Sequence, residues 1–89
     1  MYDLEYSTQF KKDFKKVTKM PISDIVEVGS IISRLQRSEA LDAKNVDHPL
    51  TGNWVGFRDC HIKPDLVLIY RIFDEKLQLA RIGSHSELF

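Results

Sequence analysis

The sequence predicts an α+β fold, a single domain over residues 1–89 with two N-terminal helices packed on a small antiparallel sheet in the order β-α-α-β-β-β. Three observations predict it. Tyr2, Leu4 and Tyr6 alternate with Asp3 and Glu5, the period of a half-buried strand. Two segments with apolar residues at helical spacing follow, reaching Arg37. Beyond Asn53 come three strand-like runs, of which LVLIYRIF (66–73) is apolar on both faces and therefore belongs inside the sheet.

In the first helix Ser7 offers an N-cap, and Phe10, Phe14 and Val17 form the apolar stripe. Lys11, Lys12, Lys15, Lys16 and Lys19 fall opposite it, giving one basic face. Met20-Pro21 ends the helix, because proline disfavours helical geometry in the residue before it. The second helix is expected from about Ile22 to Arg37, with Ile25, Val28, Ile32 and Leu35 as its stripe and Val26 and Ile31 at the flanks. Gly29 costs it roughly 1 kcal/mol relative to alanine. Ser38 to Asn53 reads as a polar connection. Strands are expected over Trp54–Ile62, Leu66–Phe73 and Leu77–Ser84, with Asp74-Glu75-Lys76 turning the last hairpin.

Composition excludes several classes. With 43% hydrophobic and 29% charged residues the chain reads as an ordinary globular protein, not a disordered one. No apolar stretch approaches the roughly 20 residues that span a bilayer, and MYDLEYS has no secretory pattern. The single Cys60 forms no internal disulfide, which fits a reducing compartment, and a cytoplasmic location is expected. Lysine plus arginine and aspartate plus glutamate balance at 13 each, against a strongly basic nucleic-acid binder. Five lysines and one aspartate between Thr8 and Lys19 nevertheless make a local positive footprint.

Three histidines are the candidate chemical groups: His48, His61 and His85. Each alone has a plain structural reading, as a solvated loop residue, a strand residue satisfied by a carbonyl, or a strand cap. Their phases favour a site. Phe57, Asp59 and His61 share one strand face, and so do Leu79, Arg81, Gly83 and His85 if the last strand stays extended. Asp65 opens the central strand near His61. Imidazoles exchange protons near neutral pH, arginine grips phosphate, and an aromatic ring such as Phe89 stacks on a base. Those are the needs of RNA cleavage by 2′-hydroxyl attack without a metal. A metal site assembled from scattered loops is the competitor, but metal-binding spacings such as H-E-x-x-H and C-x-x-C are absent. Ser84, Ser86 and Cys60 are weaker nucleophile candidates, since neighbours on a strand point to opposite faces.

The stretches DHPLTGNWVGFRDCHIKPD (47–65), LVLIYRIFDEKLQLARIGSHSELF (66–89) and EYSTQFKKD (5–13) resemble the YafQ-type branch of the RelE/ParE toxin superfamily. The resemblance covers nearly the whole chain. It implies a RelE-like fold and a toxin of a type II toxin–antitoxin system, a ribosome-dependent, metal-independent mRNA endonuclease cutting in the A site and needing no cofactor. Implied partners are a cognate antitoxin in a tight hetero-oligomer, the ribosome and mRNA, and operator DNA through the antitoxin complex. It implies catalytic histidines at His48, His61 and His85, with Asp59 and Asp65 as acidic partners. His85 is then the proton donor to the leaving 5′-oxygen, and His48 or His61 the base. Arg81 matches a phosphate-contacting arginine and Phe89 the terminal aromatic, while Lys11, Lys12, Lys15 and Lys16 supply RNA contact. Two departures stand: Leu66 where some relatives carry an aromatic residue, and a net charge low for a ribosome-docking protein. A non-enzymatic, antitoxin-binding module and a ParE-like gyrase poison are the alternatives.

Overall fold

A computed structural model describes residues 1–89. β1 (Asp3–Tyr6) leads into α1 (Thr8–Val17) and α2 (Ile22–Gln36). After them come β2 (His48–Pro49), β3 (Arg58–Lys63), β4 (Leu66–Phe73), β5 (Lys76–Gly83) and a final turn of helix, α3 (His85–Leu88). The strands form one sheet in the order β1-β5-β4-β3-β2. β4 is the middle strand, and Leu66 through Tyr70 are all buried, as its two-sided apolarity requires.

The α+β arrangement of two helices on a small sheet holds, with one change. β1 pairs with β5 in parallel, so the sheet is mixed where an antiparallel one was expected. Alternation reveals a strand's faces but not its direction. Here the free edge of β5 receives β1, and Ser7 ties the junction. Its N–H donates to the Leu79 carbonyl at 3.1 Å and its hydroxyl to the Ala80 carbonyl at 2.7 Å. The same hydroxyl accepts the Phe10 N–H at 2.9 Å, the expected N-cap.

Three other boundaries differ. The predicted strand from Trp54 begins only at Arg58, because Gly52–Trp54 forms a 3-10 turn. β2 arises inside the supposed polar connection, a two-residue strand that pairs His48 with Asp59 and Pro49 with Arg58. The β4–β5 turn is two residues, Asp74 and Glu75, both at positive φ as a tight hairpin needs, so Lys76 already belongs to β5.

The sheet buries different residues on its two faces. Toward the helices, Cys60, Ile62, Leu68, Tyr70, Leu77, Leu79 and Ile82 pack against Phe10, Val17, Val28, Ile31 and Leu35. Ile31, expected at a flank of α2, is thus a core residue. The opposite face holds a smaller cluster of Val67, Ile69 and Leu88, with Leu50, Trp54, Phe57 and Ala80 around it. Leu79 and Ile82 reach the same core although three positions apart, because β5 slips by one residue against β4 between Ile69 and Tyr70. That bulge ends the alternation on which a common face for Leu79, Arg81 and His85 relied.

Leu68 is fully buried at the centre of the middle strand. Leu68→Ala is expected to lower the unfolding free energy by about 2–5 kcal/mol in chemical denaturation, with the midpoint moving and the slope unchanged.

Candidate active site on the open face of the sheet

On β3 the side chains alternate. Cys60 and Ile62 enter the helix-covered core, so Asp59 and His61 stand on the open face. Phe57 joins them from just before the strand, packed edge-on against Trp54. This is the shared face that the strand phases predict.

His85 arrives differently from expectation. The chain leaves β5 at Gly83 and turns at Ser84, whose hydroxyl accepts the Glu87 N–H while the Glu87 carboxylate accepts the Ser84 N–H at 2.9 Å. Gly83 permits the tight return, since a Cβ there would lie 3.0 Å from Glu87 Oε1. His85 therefore opens a helical turn instead of extending a strand. Leu88 plugs into the small apolar cluster, and the turn lays the His85 ring edge-on against His61, centroids 4.9 Å apart. Phe89 stays exposed, its ring 6.4 Å from that of His85.

Asp65, in the β3–β4 turn, holds His85 in place. One oxygen, Oδ1, accepts the His85 main-chain N–H at 2.9 Å and faces its Nδ1 at 2.8 Å. These contacts, the main-chain one foremost, keep the Asp65 carboxyl below its usual pKa. An ionised carboxylate only accepts, so Nδ1 carries the proton and Nε2 is left for chemistry.

His48 makes a second imidazole–carboxyl pair, two residues down β3 and so about 6–7 Å along the strand from His61. Its Nδ1 is 2.9 Å from the Val46 carbonyl, again an acceptor only, and 3.0 Å from Asp59 Oδ1. One N–H cannot point at both. It is aligned with the carbonyl, leaving the buried Asp59 oxygen close but without a hydrogen bond. The two pairs contrast in burial: the Asp59 side chain is 5% exposed and that of Asp65 71%.

Arg81 is engaged elsewhere. Its guanidinium grips Asp13 of α1 through Nε at 2.8 Å and Nη2 at 3.2 Å, and the same carboxylate accepts the Ile82 N–H at 3.1 Å. Burial pushes the Asp13 pKa up, but the bonds from Arg81, Gln9 and Ile82 outweigh it and leave the carboxyl below its usual range. Lys16 is bonded to Glu87 at 2.8 Å, whereas Lys11, Lys12 and Lys15 are exposed. Sequence reasoning missed both acids. For Asp13 a signal existed: three residues after Phe10 and four before Val17, it falls within the apolar stripe, where an unpaired carboxylate would be costly. For Glu87 the signal was the S-x-x-E spacing from Ser84, that of a capping box.

Cys60 is unsuited to nucleophilic work; burial, then Asp47 and Asp59, pushes its thiol up to about 12. No group of three or more His, Cys, Asp or Glu side chains is gathered as a metal cage. No helix is long and apolar enough to cross a membrane.

The small mixed sheet with helices packed on one face is shared with solved bacterial toxins. A copper-bound mutant toxin from Helicobacter pylori superposes with a TM-score of 0.89 and 43% identity, each chain covered in full. The toxin of the Escherichia coli DinJ-YafQ toxin-antitoxin complex superposes with a TM-score of 0.81 at 37% identity, over 99% of this chain and 97% of that one. Residues 2–89 match the model of the bacterial YafQ toxins of type II toxin-antitoxin systems, and the chain belongs to that family. Among curated relatives, the mRNA interferase toxin YafQ of Escherichia coli K12 is 40% identical over 88 residues, 98% of this chain and 95% of that protein.

The clamp on the final turn titrates. Lys16 foremost, and then Ser84, hold the Glu87 carboxyl at about 2 against an ordinary 4.5. A depressed carboxyl stabilises the fold above its unfolded pKa, so the clamp is complete above about pH 4.5 and is lost as pH falls toward 2. The Glu87 carboxyl ¹³C resonance is expected to titrate near 2, and in Lys16→Ala to move back toward 4.5.

Proposed function

We propose that this protein is an endoribonuclease that cuts messenger RNA in the ribosomal A site, in the cytoplasm, without needing a metal, and that a cognate antitoxin restrains it. The observation that carries the reading is the His85–Asp65 pair in edge contact with His61. The names of the relatives support the reaction class, and the relative solved with DinJ supports an antitoxin partner.

Cleavage needs a base for the 2′-hydroxyl and an acid for the 5′-oxygen on the far side of the phosphate. His85 suits the acid. Asp65 accepts the hydrogen bond from Nδ1–H and so fixes the ring, leaving Nε2 as the atom that presents a proton to the leaving oxygen. His61, in edge contact with that ring, lies too close to His85 to act from the opposite side of the phosphate. His48 is then the base. Its Nδ1–H is tied down at Val46, which frees Nε2 to take the 2′-proton, and Asp59 faces the imidazolium that results. The 2′-oxygen bonds to phosphorus, the bond from phosphorus to the 5′-oxygen breaks, and the products are a 2′,3′-cyclic phosphate and a 5′-hydroxyl.

His61 donates to a phosphate oxygen. Arg81 meets the growing negative charge with the N–H groups that Asp13 leaves unused. Phe89 stacks on a base, and Lys11, Lys12, Lys15 and Lys16 contact RNA of the ribosome.

Purified protein added to a reconstituted translation reaction should give codon-phased 5′ ends on the message and none on ribosome-free RNA. His85→Ala should cut about 10²–10⁴-fold more slowly. Asp65→Asn should lose less, and a chelator should leave the rate unchanged. Intact message in the presence of active ribosomes overturns the reading in favour of a binding module; accumulated DNA breaks would point to gyrase.

A further inference from the structure

The two faces of the β2–β3 pair are linked through the backbone. His48 and Asp59 sit opposite each other on the open face. Their immediate neighbours, Asp47 and Arg58, face the other way, into the helix-covered side, and there they meet. Asp47 Oδ1 accepts the Tyr70 hydroxyl at 2.7 Å and Arg58 Nε at 3.2 Å. Tyr70 is 2% exposed and sits on β4 directly across from Arg58. Burial, then the Asp47 carboxylate, drives the phenol pKa up, so the hydroxyl keeps its proton and donates.

The segment held this way has little regular structure of its own. β2 is two residues long, and Val46 just before it is left-handed, at φ 47°, ψ 49°. A β-branched residue is strained in that region and persists there only where its surroundings impose it. The Val46 carbonyl is also what orients the His48 ring. Asn45, on the other side, is pinned by its amide donating to the His61 carbonyl at 2.8 Å.

From this we infer that Tyr70, Asp47 and Arg58 form a positioning brace that sets the His48 imidazole from the opposite face of the sheet, with the buried Tyr70 hydroxyl as its fixed point. The brace touches no substrate. It holds Asp47 so that Val46 keeps its strained backbone and His48 stays in register over Asp59. A loss of the hydroxyl lets β2 sample other conformations, and His48 loses its orientation. His85, held independently by Asp65 and the Ser84 cap, is unaffected. The inference rests on the reading of His48 as the base.

Tyr70→Phe removes one oxygen from a buried ring. Two measurements on the folded variant test the inference: imidazole ¹⁵N resonances of all three histidines, and message cleavage at saturating and limiting ribosome concentrations. The His48 signals are expected to shift and broaden while those of His85 stay in place, and kcat is expected to fall about tenfold with KM unchanged. Unmoved His48 signals overturn the brace, as does an unchanged kcat in a protein whose wild type cleaves. If the wild type does not cleave while His48 still responds, the brace stands and the nuclease reading falls. Arg58→Lys, which removes the Nε–H donor at a half-exposed site, gives the same readouts should Tyr70→Phe not fold.

Discussion

Burial of β4 on both faces is the constraint on which the rest of this structure depends. A strand that is apolar on both sides must be covered on both sides, and one helical hairpin can cover only one. The second face of the middle strand is covered by Leu50, Trp54, Phe57 and Leu88, all from short turns outside the regular strands. The turns that seal this face also hold or flank two of the histidines, His85 and His48. Leu88 cannot dock without bringing His85 to His61, and Leu50 lies two residues from His48. Core formation and site assembly are one event here, which is how so small a chain holds three imidazoles on one side of its sheet.

The neutral formal charge also has a structural account. Asp13 is paired with Arg81, Glu87 with Lys16, Asp24 with Lys63 and Asp47 with Arg58. These acids serve as internal fasteners, each tying a helix, turn or loop to a strand or another helix. Lys11, Lys12 and Lys15 take part in no ion pair. A balanced total thus coexists with a local excess of unpaired lysines on α1. Isolated surface pairs contribute little to stability, and the pairs of Lys16 and Lys63 are chiefly positional. The Asp13–Arg81 pair is better sheltered, and its carboxylate accepts three hydrogen bonds from β5 and a fourth from Gln9, so it anchors α1 to β5.

Two imidazole–carboxyl pairs of opposite burial share the open face. An exposed carboxylate holds His85 by its main-chain N–H and its Nδ1. A buried carboxyl faces His48 with one oxygen left without a hydrogen bond. Such a difference in environment, more than in residue type, separates acid from base roles.

Much of this was legible in the residues. Alternation in β1, the stripe of α1 and the unbroken apolar run of β4 follow from local periodicity, and a periodic pattern can be read without knowing its neighbours. The common face of Phe57, Asp59 and His61 follows from the same rule. The histidines, Asp65 and the DHPL segment were visible as a motif. Only tertiary structure decided the rest. The parallel direction of β1, the one-residue slip in β5, and the 3-10 turn at Gly52–Trp54 that delays β3 all depend on pairings between distant segments. So do β2, which exists only because β3 offers it an edge, and the commitment of Arg81 to Asp13, 68 residues away. Sequence determined which groups were available and, where an element stays regular, on which side of it they stand. Three-dimensional packing decided which of them meet, because hydrogen bonds and burial between distant residues leave no period in the chain.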